Sequence, residues 1–526
     1  MSSPDNMAST NELLVADGGD TLLAHQDIDG SPVTTTELRT WYLFGAALDA
    51  VSYCCVSVFA PVVVQSLAAN YGATSADHTV PCNATAIDYK CDVRVGSMWI
   101  DTSSFVFACI VIAAVMQIVL FVAVGAVADT GGDLALRFNP VSGLVAMLFP
   151  TVTRTDQFWL AAVYFIIMNI FASGAWVFLY AFLPILARNH VDYLTAAQNT
   201  SISGESLHFK LDQVTNRIST HSYIWMYSAT ILTLIVMVVI FTFYTPAGGL
   251  PASYSVHVGI LFAGVILMVG VGYALRFMRE RPGPPFPPGS SAVTYSLKKV
   301  GAALSNGRQL KHLFLFLMGW FMVSDAFNTL VSVAVLLSTQ LLGFTTKEVL
   351  IISLEAPLLA IPGAYLWNQF QVRARCTTKF ILLCQTCVYG TMCFLISIGI
   401  SQQVGFGWKH TAEVYVYAGM HGFMLGAIQS TCRSLFVSLL PPGHEGSFYS
   451  LYLLTDKGSS WIGPLIVAAI NGSGADKRYS FLFLAVQFSV GLVFFSLVDP
   501  SVGHVEGRKF AREQARKVNE SFAVSV

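Results

Sequence analysis

The 526-residue sequence predicts an all-α integral membrane protein of twelve transmembrane helices in two six-helix halves. Composition is the first observation: 54% of residues are hydrophobic and only 11% are charged, against roughly 25% charged in an ordinary soluble domain. The second is a succession of apolar runs, each near the roughly 20 residues that a helix needs to cross a bilayer. The third is that basic residues gather in alternate loops. Lipid is the solvent these observations imply, since a soluble core this apolar would leave large sticky patches.

The first 40 residues are polar, rich in Ser, Thr, Asp and Gly, and are expected to form a disordered tail; no basic, apolar leader opens the chain. Spans are then expected at 41–67, 102–127, 139–154, 157–187, 222–244, 256–275, 313–338, 348–368, 379–400, 413–437, 448–470 and 479–498. The third is short and follows Asp133 and Arg137, but orientation supports it. With the N-terminus inside, the loops place 21 Lys and Arg on the inner side and 7 on the outer, and Lys457 falls within a span. Positive charge resists translocation, so this bias is the one a correct span count produces. Trp41, Tyr42, Trp99, Trp159 and Trp408, near span ends, are expected to be interfacial anchors.

The segment 276–312 carries the Pro- and Gly-rich stretch from Arg281 to Gly289 and divides the chain into an N-terminal half, 41–275, and a C-terminal half, 313–498, with a tail from 499 to 526. Both tails and the linker are expected in the cytoplasm. Two halves of six spans around an inner linker are the organisation of the major facilitator superfamily. Gly125-Ala-Val-Ala-Asp129, after the second span, matches the first half of that superfamily's G-x-x-x-D signature and makes Asp129 a structural or gating candidate.

Between the first two spans, on the outer side, lie Cys82 and Cys91, expected to form a disulfide, and the glycosylation sequon Asn83-Ala84-Thr85. The other eight cysteines lie in or at the ends of spans and read as small apolar residues; Cys384-x-x-Cys387 has no second ligand pair for a metal. No cofactor is expected.

Ionisable groups inside a span are costly and usually face a cavity or a partner. Asp49 lies in span 1, Asp325 in span 7, Glu355 in span 8 and the pair Asp456-Lys457 in span 11. In a facilitator architecture spans 1, 4, 7 and 10 line the central cavity, so Asp49 and Asp325 occupy equivalent helices, and Asn169, Gln429 and His421 complete a polar lining. For each carboxylate, a structural pairing with a neighbouring helix is the alternative. A carboxylate shielded from water can exchange a proton near neutral pH, which proton coupling requires. Asp456 and Lys457 point in different directions on a helix, and Gly458, Gly463 and Pro464 after them are expected to break it and free backbone amides for binding. Arg433 is expected to staple inner helix ends through Glu445, while Gly419, Gly422 and Gly426 allow close helix approach.

An ordered set of segments resembles one family, the fungal autophagy-related protein 22 family of vacuolar amino-acid effluxers. The set comprises Trp41-Tyr42 with Asp49, Asp101-Thr-Ser-Ser-Phe105, Ser324-Asp325, Arg433-Ser-Leu-Phe436, Pro441-Pro-Gly443 with Glu445, and Asp456-Lys-Gly-Ser-Ser460 with Gly463-Pro464. It extends over nearly the whole chain and makes Asp101 a further structural or gating candidate. The resemblance implies a multi-pass vacuolar membrane protein that returns amino acids such as leucine from lumen to cytosol, with protons as the driving partner. In that reading Asp49 and Asp325 handle the proton or the substrate ammonium, and Lys457 or the broken-helix amides face the carboxylate.

A near-neutral formal net charge of -1 gives no basic patch for nucleic acid, and a monomer in the bilayer is expected. No nucleophile motif, metal cluster or phosphate loop lies outside the spans, and no such segment exceeds about 40 residues, so an enzyme is not expected. Two rivals remain at this level: a facilitator-type carrier for sugars, peptides or drugs, and a receptor or lipid scramblase in the same fold.

Overall fold

The computed structural model describes residues 31–74, 77–82, 91–102, 105–106, 108–117, 120, 140–198, 204–244, 254–279, 281, 309–342, 344, 346–442, 444–459, 462–472 and 476–525. The first helix, α1 (Thr35–Tyr71), begins earlier than the apolar run suggests. The Thr34 hydroxyl accepts from the Glu37 amide at 3.2 Å, capping an N-terminus that would otherwise be left unsatisfied. After Ala50 the helix relaxes into a π-helical turn over Val51–Phe59 before α-geometry resumes at Ala60. This widening follows Asp49 immediately and falls in a Ser- and β-branched-rich stretch, VSYCCVSVF; insertions of this kind re-aim side chains and recur at functional sites.

Strands β1 (Ala73–Thr74), β2 (Asp77–Pro81), β3 (Cys91–Val95) and β4 (Met98–Asp101) form an antiparallel sheet, in the order β2-β1-β3-β4, that caps one face of the molecule. The sequence reading foresaw a polar loop here and no sheet. The Cys82–Cys91 disulfide is present, with a Cα–Cα distance of 5.8 Å. Asn83 lies outside the described residues, as do Asp129 and its motif.

Helices follow as α2 (Ala108–Gln117), α3 (Pro140–Leu148), α4 (Phe158–Arg188), α5 (Val191–Ala197), α6 (Gly204–Phe243), α7 (Tyr254–Phe277), α8 (Lys311–Leu342), α9 (Thr346–Ala374), α10 (Thr378–Ser397), α11 (Thr411–Leu439), α12 (Glu445–Ser459), α13 (Ile462–Gly472), α14 (Tyr479–Leu497) and α15 (Pro500–Ser525). Helix occurs at every predicted span, with span 11 broken into α12 and α13. Among the described residues, seven helices are long and apolar enough by themselves to cross a membrane. The helices α9 and α11, each of 29 residues, are diluted by polar and small side chains, many of them at the contact between the two. The seventh and fifth spans start inside predicted loops, and α6 begins at Gly204, well before the expected 222.

Glycine sets the closest helix contact. An added Cβ at Gly422 or Gly426 of α11 would sit 2.6 or 2.8 Å from the backbone oxygens of Ala356 and Ala360 on α9, and one at Gly363 would meet the Phe423 carbonyl oxygen at 2.0 Å. Close approach is what these small residues permit. Trp159 and Trp99 are exposed as expected of anchors, but Trp41 and Trp408 are not: they are 0% and 2% exposed. The Trp41 indole donates to the Leu179 carbonyl at 3.0 Å, joining α1 to α4 within the core.

One face carries Val33, whose amide donates to the Asn189 carbonyl, together with the start of α8 and the helix α15. There Glu37 forms a buried bidentate pair with Arg281, at 2.9 and 3.0 Å, tying the beginning of α1 to the beginning of the central linker. The sheet covers the opposite face. On the termini face, α5 is capped by His190, whose Nδ1 accepts from the Asp192 amide, while Arg217 of α6 donates to the Asp192 carboxylate. That bond holds the Asp192 carboxyl below its ordinary range, and burial with the nearby Arg217 charge holds His190 below its own.

Candidate functional site

The two halves meet where α6 packs on α9 and α11 and where α4 packs on α12. Polar side chains close this seam near the termini face. Asn216 donates to Gln371 and, at 3.4 Å, to Asn368. Ser430 donates to Asn216 at 3.3 Å and shares a hydrogen bond with Thr220 at 3.0 Å, and Ser219 donates to the Ser430 carbonyl at 3.3 Å. Individually such bonds contribute about 1 kcal/mol, but a run of them between apolar helices fixes register.

Arg433 of α11 is a charged group in this seam and is fully buried. Its Nε and Nη2 donate to the Ser219 hydroxyl at 3.2 and 3.0 Å, and its guanidinium lies over the rings of Tyr180 and Tyr223 at 4.6 and 4.5 Å. Cation–π contacts of this kind are strongest when desolvated. The staple between helix ends that the sequence suggested therefore exists across the halves, but its described partners are a serine and two tyrosines. The Glu445 side chain lies outside the described residues.

Asp49 and Asp325 stand at the same place in their helices, each fourteen residues beyond the first residue, Thr35 or Lys311. At 1.5 Å per residue both are about 21 Å along the helix. Their surroundings differ. Asp49 is partly exposed, and its Oδ2 accepts from Thr230 of α6 at 2.7 Å. Asp325 is 0% exposed and is consumed by its own half: Oδ1 accepts from the Gly463 amide at 3.2 Å and Oδ2 from Gln487 of α14 at 2.6 Å. Asp325 thus caps the start of α13 and stabilises the break in span 11. The Gly463 amide, expected to be free for substrate, is taken by that carboxylate.

Asp456 accepts from Ser324 and stays partly exposed. Asp49 and Asp456 both lie within electrostatic reach of Tyr223, one in each half. Gln429, also partly exposed, accepts from the Tyr223 hydroxyl at 3.5 Å. Asn169 accepts from Gln117 at 2.7 Å and so links α4 to α2. Glu355 lies apart, against Gly419 at the α9–α11 contact, with one carboxylate oxygen buried and unpartnered. His421 meets Tyr389 and Phe327 within the C-terminal half. Lys457 is on α12 and Asp101 ends β4; their side chains lie outside the described residues. Among the described residues no group of three or more His, Cys, Asp or Glu could hold a metal.

Sequence reasoning missed Ser219, Tyr180, Tyr223, Asn216 and Gln371. Asn216 and Gln371 fall in polar sequence just outside the predicted spans 222–244 and 348–368, so nothing marks them there, and tyrosine and serine are too common to stand out.

The model of a family described as vacuole effluxer Atg22 like matches residues 33–508. Autophagy-related protein 22 of Pyricularia oryzae is 29% identical over 95% of this chain and 81% of its own length, and that of Coccidioides immitis is 29% identical over 92% and 90%. Among solved structures, a proton:xylose symporter of the major facilitator superfamily superposes with a TM-score of 0.57 at 11% identity, over 88% of this chain and 94% of that one. The human organic anion transporter MFSD10 gives 0.54 at 13%, over 88% and 99%. At these identities the likeness shows the fold, that of the major facilitator type. The chain belongs to the vacuole effluxer Atg22-like family, membrane transporters built on the major facilitator fold.

Proposed function

We propose that this transporter exports neutral, apolar amino acids such as leucine from the vacuole lumen to the cytosol by proton-coupled alternating access. In this reading it is a monomer in the vacuolar membrane, with the termini face toward the cytosol and the sheet, glycosylated at Asn83, in the lumen. The halves 41–275 and 313–498 are the moving units. The family, whose members are vacuole effluxers by description, supports the vacuole and export.

The observation that carries the mechanism is the asymmetry of the carboxylates. Asp49 is partly exposed beside the π-helical turn of α1 with one neutral hydroxyl partner, so it can take a proton or a substrate ammonium without breaking an ion pair. Asp325 is spent on the α13 cap, which leaves Asp456 as the exposed carboxylate of the other half. An acidic lumen loads the carboxylates with protons, and the neutral cytosol releases them.

The test uses the purified full chain in vesicles loaded with labelled leucine at acidic internal pH. Efflux is expected to acidify the outside and to lose its pH dependence in Asp49→Asn. Leucine efflux unchanged in an Asp49→Asn, Asp325→Asn double variant refutes the mechanism. A panel of sugars, peptides and amino acids tests the substrate class.

A further inference from the structure

We propose that Arg433 is the receptor for the carboxylate of the transported solute and that capture of this carboxylate unlocks the seam between the halves; the proposal deepens the amino-acid reading above and rests on it. A guanidinium carries five donors. Arg433 spends Nε and Nη2 on the oxygens of a single residue, Ser219, and its buried Nη1 has no acceptor among the described residues. Among the described residues no carboxylate forms an ion pair with it; the hydroxyl and carbonyl of Ser219 and two ring faces are what offset a fully desolvated charge. Desolvating a cation without a counter-ion is unfavourable, and a planar carboxylate is the group its fork matches.

Position supports the same conclusion. Gln429 lies one turn before Arg433 on α11, so the two share a helix face. Tyr223 stands between them, with its hydroxyl on Gln429 and its ring on the guanidinium. Gln429, Asp49 and Asp456 are partly exposed, whereas Arg433 is buried. Displacement of the Tyr223 ring therefore connects the exposed polar layer with Arg433. A solute carboxylate that passes the Tyr223 ring reaches the arginine. The carboxylate then competes with Ser219, which belongs to the opposite half, and each bond it wins is one the closed seam loses. Recognition and gate release become the same event.

Binding to the full chain in lipid nanodiscs tests this with three probes: leucine, leucinamide, which lacks the carboxylate, and 4-methylpentanoate, which lacks the ammonium. Replacing a charge-assisted hydrogen-bond pair implies a loss of at least about tenfold. Arg433→Gln is expected to weaken leucine and 4-methylpentanoate by that factor and leucinamide by less than about threefold, with Arg433→Lys in between. Ser219→Ala removes the competitor and is expected to leave leucine binding as tight as wild type or tighter. Leucine binding by Arg433→Gln within about twofold of wild type overturns the carboxylate site and leaves the amino-acid reading standing. If wild type binds 4-methylpentanoate and not leucine, and Arg433→Gln loses it, the amino-acid reading falls and the Arg433 site stands. If wild type binds neither carboxylate, both fall. Should Arg433→Gln fail to fold, Ser219→Ala decides: equal tenfold losses for leucine and leucinamide show Arg433 to be only a structural latch.

Discussion

The pair Glu37–Arg281 gives the most quantitative test of the fold. Its side chains are 0% and 4% exposed, and both oxygens of Glu37 are taken by Arg281. Removing one partner of a buried pair leaves an uncompensated charge, a loss of about 3–5 kcal/mol, whereas removing both together costs much less. The two single changes are not equivalent. Arg281→Ala strips Glu37 of both its donors. Glu37→Gln leaves the arginine the Ser31 carbonyl at 3.3 Å and the amide oxygen of the new side chain. Arg281→Ala is therefore expected at the upper end of that range and Glu37→Gln near or below its lower end. A Glu37→Leu, Arg281→Met double variant should be more stable than either of its own singles, Glu37→Leu or Arg281→Met, with a coupling of at least about 2 kcal/mol in that cycle. Equilibrium unfolding of the purified protein in mixed micelles, followed by tryptophan fluorescence, measures these differences. Singles within about 1 kcal/mol of wild type, or additive effects in the cycle, refute the claim that this pair ties the linker to the first helix.

Two further outcomes follow from the geometry. Gly422→Val places side-chain carbon where a Cβ alone would stand 2.6 Å from the Ala356 oxygen; separating α9 from α11 is expected to cost at least about 1–3 kcal/mol, read as reduced yield and a lower thermal midpoint, and a variant as stable as wild type contradicts the packing. His190 must be neutral at Nδ1 to accept the Asp192 amide, and burial with the Arg217 charge keeps its pKa below the usual 6.5. Because the folded value is the lower one, the stability it contributes is complete above pH 6.5 and is lost as pH falls through the folded value. The protection factors of the Asp192 and Tyr193 amides, taken against the intrinsic exchange rate at each pH, should therefore fall on acidification toward pH 5, and a flat protection profile counts against the cap.

Spans are legible from sequence because apolarity is a local property of some 20 residues, and lipid demands it wherever the chain crosses. Hence every predicted span contains helix, and the family assignment made from scattered motifs holds. Helix ends were less legible: α1 and α6 begin earlier than their apolar runs, since a capping threonine and packing against the other half extend them into polar sequence. Trp41 looked like an interfacial anchor because its neighbours in sequence place it near a helix end, yet its partner is the Leu179 carbonyl, 138 residues away.

The candidate site shows the same division. Sequence alone located the carboxylates of spans 1, 7, 8 and 11 and placed Asp49 and Asp325 in equivalent helices; their matching positions appear only once the helix starts at Thr35 and Lys311 are known. It could not separate them, because their difference lies in what surrounds each one: Thr230 for Asp49, the broken start of α13 and Gln487 for Asp325. Only the packing of the two halves brings Ser219, Tyr180 and Tyr223 around Arg433. Polarity within a span is written in one residue, but whether it is spent on structure or kept for a solute depends on partners contributed by helices hundreds of residues apart.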